Sequence, residues 1–284
     1  MTSFNYYAPS TLENAFELID RYGSEGRILA GGTDLLVRIK TGRIAPRAVI
    51  DIKHIPGLNS GIQFEGGQVV IGALSLMADI QDDPSLKQQF PALSEAAASV
   101  GSVQIRNRAT LAGNLCNASP AADTAPALLI YKAKVKLAGR DGSRILPLEQ
   151  FILGPGKTAL QTGELVESIL IPIPSSDQTA AFQRLTRRKG VDLATINVCC
   201  QVFNSGLVRF AIGASGPVPF VVEDASGQLV DPNVTSESKK QILHTLMEAA
   251  VPISDVRASR EYRQAMLVVL AWRTLQISIE RLNS

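Results

Sequence analysis

Histidine and cysteine are scarce in this chain of 284 residues, and their scarcity removes several kinds of chemistry at once. His54 and His244 are the only histidines, too few for a histidine-held zinc or a histidine-based catalytic triad. Cys116, Cys199 and Cys200 are the only cysteines and show no CxxC spacing, so they cannot supply the four thiolates of an iron-sulfur cluster. Any such cluster must sit on another chain. Cys199 and Cys200 adjoin each other in an apolar stretch, where successive strand side chains point to opposite faces, and read as small buried hydrophobes. Long apolar runs are lacking too. The stretch from Ala265 to Trp272 is among the longest and falls well short of the roughly 18 residues that cross a bilayer. The start, MTSFNYYAPS, has no basic region followed by an apolar one, so no secretion signal is read and the expected location is cytoplasmic. Charge of one sign is missing as well: 28 Lys and Arg against 26 Asp and Glu leave a net +2, with no basic stripe for nucleic acid.

What is present is a globular composition with 22 glycines and 15 prolines, long enough for two or three compact units. Ser10-Thr11-Leu12-Glu13 reads as a capping box that opens a helix with Leu12, Ala15, Phe16 and Ile19 on one face. Arg27 to Ala30 reads as a strand, Gly31-Gly32-Thr33 as a turn, Asp34 to Lys40 as a helix and Val49 to Ile52 as a second strand. From Leu58 the texture changes to strands at Ile62–Glu65 and Gln68–Ala73 and helical segments through Asp79 to Ser99. Further strands are predicted at Lys134–Ala138, Arg144–Pro147 and Leu165–Ile173. The segment Pro172 to Asp177 has the composition of a linker. Beyond it, strands at Phe182–Arg187, Ala194–Phe203 and Leu207–Gly213 precede helices at Ser236–Ala250 and Ser259–Leu282. The expected class is α+β, with units over 1–57, 58–176 and 177–284.

Gly154-Pro155-Gly156-Lys157-Thr158 looks like the end of a phosphate-binding P-loop, but Phe151 stands where that motif needs a glycine. No G-x-G-x-x-G run follows a strand, so a Rossmann dinucleotide site is also unsupported. Two other glycine loops carry more. Leu29-Ala30-Gly31-Gly32-Thr33-Asp34-Leu35 places residues without side chains where backbone N–H groups can approach a pyrophosphate closely. Thr110-Leu111-Ala112-Gly113-Asn114, followed by Asn117 and Asp123, adds a hydroxyl, amides and a carboxylate suited to a phosphate, ribityl chain or ribose. Taken singly, each loop is more often a tight turn than a binding loop.

The stretch VGSVQIRNRATLAGNLCNASPAADTAPALL from Val100 to Leu129, together with LAGGTDLL from Leu29, closely resembles the FAD subunit of molybdenum hydroxylases of the xanthine dehydrogenase and carbon monoxide dehydrogenase type. The resemblance covers essentially the whole chain. It implies a two-part FAD-binding domain of the vanillyl-alcohol oxidase (PCMH) type followed by a smaller α+β C-terminal domain. In that family Leu29, Ala30, Gly31, Gly32, Thr33, Asp34 and Leu35 would wrap the FAD pyrophosphate, with Thr110, Gly113, Asn114 and Asn117 forming the second side of the cleft. Asp123, in an Asp-x-x-Pro element, would bond the flavin's sugar portion. Leu165 and Val166 would pack on the isoalloxazine, and Arg184 stands where relatives carry a lysine near the ring. Core packing is the alternative for Leu165 and Val166, and a surface cation for Arg184. Two positions depart from the pattern: Ala112 replaces the first of two glycines, and Leu193 a residue that is often aromatic.

The implied function is electron transfer. Electrons from a large molybdenum-cofactor subunit would pass through a small two-iron two-sulfur subunit to FAD, and on to an acceptor such as NAD. No catalytic acid, base or nucleophile and no metal ligand is expected on this chain. The GPGKT segment resembles bacterial xanthine dehydrogenase flavin subunits and tilts the substrate toward a purine or related N-heterocycle. The alternative is a self-sufficient flavin-dependent oxidase on the same fold, which would need its own acid or base groups.

Overall fold

The computed structural model describes residues 3–58 and 61–284 as three layered α+β units joined by shared cores. The first contains β1 (Asn5–Tyr7), α1 (Leu12–Tyr22), β2 (Gly26–Leu29), α2 (Leu35–Lys40) and β3 (Ala48–Asp51). The three strands form a parallel sheet in the order β1-β3-β2. Its middle strand is buried at every position, as expected for a short apolar run covered on both faces. The expected capping box shifts by one residue. Thr11 is the N-cap and its hydroxyl accepts from Asn14 N, so the third helical position is an asparagine and not Glu13.

The second unit runs through β4 (Ile62–Glu65), β5 (Gln68–Gly72), α3 (Met77–Asp82), α4 (Pro84–Gln89), α5 (Pro91–Ser99), α6 (Val103–Arg106), α7 (Leu111–Asn117) and α8 (Thr124–Ile130). It continues through β6 (Lys134–Gly139), β7 (Gly142–Pro147), α9 (Leu148–Phe151), β8 (Ile152–Gly154), β9 (Lys157–Thr158) and β10 (Leu165–Pro172). Five of its strands form an antiparallel sheet ordered β4-β5-β10-β6-β7. The helical segments predicted through 79–99 are three helices, because Pro84 and Pro91 each open a new one at its first turn. The GPGKT segment forms the β8–β9 hairpin, turning on Gly156 at φ 68°. The loop predicted at Thr110–Asn114 is a correction: it is the start of α7, with Thr110 as N-cap accepting from Gly113 N. A Cβ at Gly113 would stand 2.8 Å from Thr110 Oγ1, so the bare residue leaves room for the cap.

The third unit comprises β11 (Gln178–Leu185), β12 (Ile196–Phe203), β13 (Val208–Gly213), β14 (Phe220–Asp224), α10 (Ser236–Met247) and α11 (Arg260–Leu282). Its antiparallel sheet follows chain order. α11 buries Leu267, Leu270, Ala271 and Leu275 on one stripe, each large side chain stabilising by about 1.5–3 kcal/mol. The two-residue period of β12 decides what each face meets. Ile196, Val198, Cys200 and Val202 pack in the core with α10 and α11, whereas Cys199 enters the core of the second unit beside Phe182 and Ala211. The adjacent cysteines therefore lie in different cores. A third cluster joins the first two units, packing Phe16, Ile50 and Ile52 against Leu74, Ala138 and Leu165.

Candidate functional site

A cavity of roughly 360 Å³ lies between the first two units. One wall is the turn that follows β2, where Ala30, Gly31, Gly32, Thr33, Asp34 and Leu35 all line the space. Gly32 has φ 78°, a backbone region that glycine occupies at little cost. Leu36 N donates to the Gly32 carbonyl at 3.0 Å. Among the described residues, the N–H groups of Gly31, Gly32, Thr33, Asp34 and Leu35 donate to no protein acceptor. Five unpaired donors in one loop that lines the cavity are suited to a multiply charged anion such as a pyrophosphate.

Gly31 has a second duty. A Cβ built there would stand 2.8 Å from the Arg108 carbonyl carbon and closer still to its oxygen. The two loops therefore touch backbone to backbone, and this contact fixes the spacing of the cavity walls.

The opposite wall is α7 and the residues before it: Ala109, Thr110, Ala112, Gly113, Asn114, Cys116 and Asn117. Asn114 Oδ1 accepts a hydrogen bond from Thr124 Oγ1 at 2.7 Å. Asn117 reaches across toward the first wall, with Nδ2 3.5 Å from Asp34 Oδ1, a distance that makes the contact weak. Leu165 and Val166 line the cavity where β10 bulges out of register, together with Ala73 and Leu160. Arg27 and Arg38 also line it and escaped sequence reasoning because they belong to no motif, while Val100 and Ile105, within the Val100–Leu129 stretch, were not singled out as site residues. Burial pushes the Cys116 thiol up to about 12, so it remains protonated at neutral pH.

Four of the residues singled out from sequence are not among those that line the cavity. Leu29 is buried in a small core with Ile39 and Val49. Asp123 and Arg184 pair with each other, the guanidinium 2.7 Å from Asp123 Oδ2, while Asn197 Nδ2 donates to Asp123 Oδ1 at 2.9 Å. Burial pushes the Asp123 carboxyl up, against the pull of Arg184 and the Asn197 amide. Leu193 is 60% exposed and also lies outside the wall.

Residues 2–174 match the family described as FAD binding domain in molybdopterin dehydrogenase. The chain belongs to the FAD-binding subunits of the molybdenum hydroxylases. Residues 180–277 of this flavin subunit match the CO dehydrogenase flavoprotein C-terminal domain. It is 33% identical to the nicotinate dehydrogenase FAD-subunit of Eubacterium barkeri, over 93% of this chain and 92% of that one. To the putative xanthine dehydrogenase FAD-binding subunit of Escherichia coli it is 28% identical, over 97% and 96% respectively. Its fold superimposes on a chain of the carbon monoxide dehydrogenase structure from Hydrogenophaga pseudoflava with a TM-score of 0.90 at 30% identity, covering 98% of both. FAD is the cofactor of the family, and the free N–H groups around Gly32 fit its pyrophosphate.

Proposed function

We propose that this subunit carries electrons between a partner's iron-sulfur clusters and a soluble acceptor, with FAD lying in the cavity between the units 1–57 and 58–176. The unit 177–284 backs the site. The N–H groups from Gly31 to Leu35 take the pyrophosphate, and Arg27 and Arg38 add positive charge to that wall. Thr110, Gly113, Asn114 and Asn117 face the ribityl and ribose portions, and Leu165 and Val166 keep water from the ring. Asp123 and Arg184 sit behind the wall as a paired unit. FAD, when bound, supplies exchange between single electrons and a hydride pair, while the protein orients it and sets its electrostatics.

The observation that carries this proposal is the row of free donors at a cavity shared by two units. The placement of the cysteines supports a relay from outside the chain: Cys116 lines the cavity, and Cys199 and Cys200 are buried in separate cores, so they cannot ligate one cluster together. In this scheme a large molybdenum-cofactor subunit oxidises the substrate and a small two-iron two-sulfur subunit delivers the electrons. NAD or a comparable acceptor then takes them. The names of the relatives include xanthine and nicotinate dehydrogenases, which, with the GPGKT segment, favours a purine or related N-heterocycle as substrate of a xanthine dehydrogenase-like complex. Anaerobic stopped-flow spectroscopy of the flavin band tests the role. With xanthine or hypoxanthine, the FAD-loaded subunit alone is expected to show no reduction, and adding the two partner subunits is expected to restore it. Rapid reduction in the subunit alone would instead establish a self-sufficient oxidase.

A further inference from the structure

We propose that Asn197, on the third unit, is a positioning residue for the flavin site: it fixes the start of α8 through Asp123, and Thr124 then presents the Asn114 amide to the cavity as a donor. Asn197 is fully buried in β12, and its side chain crosses to the second unit, where Nδ2 donates to Asp123 Oδ1 at 2.9 Å and to the Ala122 carbonyl at 3.3 Å. That orientation leaves Asn197 Oδ1 without a partner among the described residues. The opposite flip would set the amide oxygen against a carboxylate, so the donor contact to Asp123 decides the rotamer. Gly213, paired with Asn197 across the sheet, makes the arrangement possible. A Cβ there would stand 2.9 Å from Pro126 Cγ and closer still to Asn197 Oδ1. Its φ is not positive, so this glycine is needed for space.

Two further contacts from the third unit anchor the same segment. Arg184 binds the other Asp123 oxygen, and Ala214 N donates to the Pro120 carbonyl at 2.7 Å. The next residue, Thr124, is fully buried and donates its hydroxyl proton to Asn114 Oδ1. An amide has one accepting and one donating end, so engaging Oδ1 leaves Nδ2 to face the cavity. Asn114 lines the cavity, whereas Thr124 and Asn197 stand behind it. The third unit thus acts on cofactor recognition through a buried chain of hydrogen bonds.

This inference rests on FAD occupying the cavity, and the experiment separates the two ideas. FAD affinity is measured by flavin fluorescence titration of the full-length chain, alongside Tm and visible circular dichroism of the bound flavin. Asn197→Ala and Thr124→Val are each expected to weaken FAD about tenfold and to change the flavin dichroism. Thr124→Ser, which keeps the hydroxyl, restores both. Gln201→Ala is the matched control: Gln201 lies buried on the same face of β12, but its amide donates to Gln178 Oε1 within the third unit. It is expected to lower Tm and leave FAD affinity within about twofold. Wild-type affinity in Thr124→Val, or equal weakening by Gln201→Ala and Asn197→Ala, overturns the proposal. Should Asn197→Ala fail to fold, the Thr124 pair decides alone. A wild-type chain that binds no FAD, or binding indifferent to Gly31→Ala, would sink the cavity assignment itself.

Discussion

Gly31 and Gly32 are neighbours in one loop, yet the structure gives them different work, and substituting each by alanine separates cavity shape from backbone strain. A methyl group at Gly31 cannot fit beside the Arg108 backbone, 2.8 Å from the carbonyl carbon, so one loop must retreat. Retreat spreads the donors at Gly31 to Leu35. Losing two charge-assisted bonds at about 1.5–3 kcal/mol each removes roughly 3–6 kcal/mol of binding, on the order of a hundredfold to ten-thousandfold in Kd. At Gly32 the neighbours are Leu29 Cδ1 at 2.9 Å and Leu36 Cδ1 at 3.1 Å, both ends of side chains that can turn aside. The remaining cost there is the positive φ, about 1–2 kcal/mol for an L-residue. Isothermal titration with FAD, with a melting curve for each variant, is expected to rank Gly31→Ala as far more damaging to binding. Wild-type affinity in Gly31→Ala, or Gly32→Ala as the worse variant, would refute the assignment of wall spacing to the Arg108 contact.

The remaining predictions concern cysteine reactivity and acid stability. Cys116 is the only cysteine with surface open to the cavity, so iodoacetamide is expected to label it in the FAD-free chain, slowly at neutral pH and faster as pH rises, with FAD protecting it; peptide mass spectrometry showing equal labelling with and without FAD would contradict its placement. Its protonated thiol is also a poor nucleophile, so acid precipitation should release all the flavin, and colour retained in the denatured pellet would show a covalent link. The Asp255 carboxyl, although partial burial works against it, is held well below the usual range by Arg257 and Arg263. A depressed carboxyl contributes stability above its unfolded value near 4, and that contribution falls away as pH drops through the folded value. Asp255→Asn leaves the buried Arg263 guanidinium without its anion, expected to cost about 3–5 kcal/mol, and should flatten denaturant-derived stability below pH 4; an unchanged acid limb would count against the pairing.

Much of the fold was legible because its signals are local. The opposite faces of Cys199 and Cys200 follow from the period of a strand, and the apolar run before Gly31-Gly32 announces a strand and its turn. The first strand of the third unit, expected over Phe182–Arg187, starts four residues earlier at Gln178 and ends at Leu185. β14 was missed, since Phe220 to Asp224 follows Gly216, Pro217 and Pro219 and reads as loop. The second wall was found for an incomplete reason. In sequence Thr110 and Gly113 read as a turn, but a threonine three residues before the group it caps is also a helix start, and α7 uses it so. The partners of Asp123 could not be read locally, because Arg184 and Asn197 lie 61 and 74 residues away. Nor does any pattern reveal that Gly31 must remain bare to meet the Arg108 carbonyl.

The same distances explain how the site is tuned. Backbone contact at Gly31 and the shared core of Phe16, Ile50 and Leu165 set the separation and tilt of the two walls. Such features change little without disturbing the fold, because interiors packed at crystal-like density transmit strain and do not absorb it. Side chains on α7 are freer. Asn114 and Asn117 project from one short helix into the cavity, and only Asn114 is pinned from behind by a buried partner, whereas Asn117 makes a long, weak contact with Asp34. The two amides should therefore differ in what they tolerate: Asn117 can turn to meet whichever oxygen the cofactor offers, while Asn114 presents a donor whose direction is settled before the cofactor arrives.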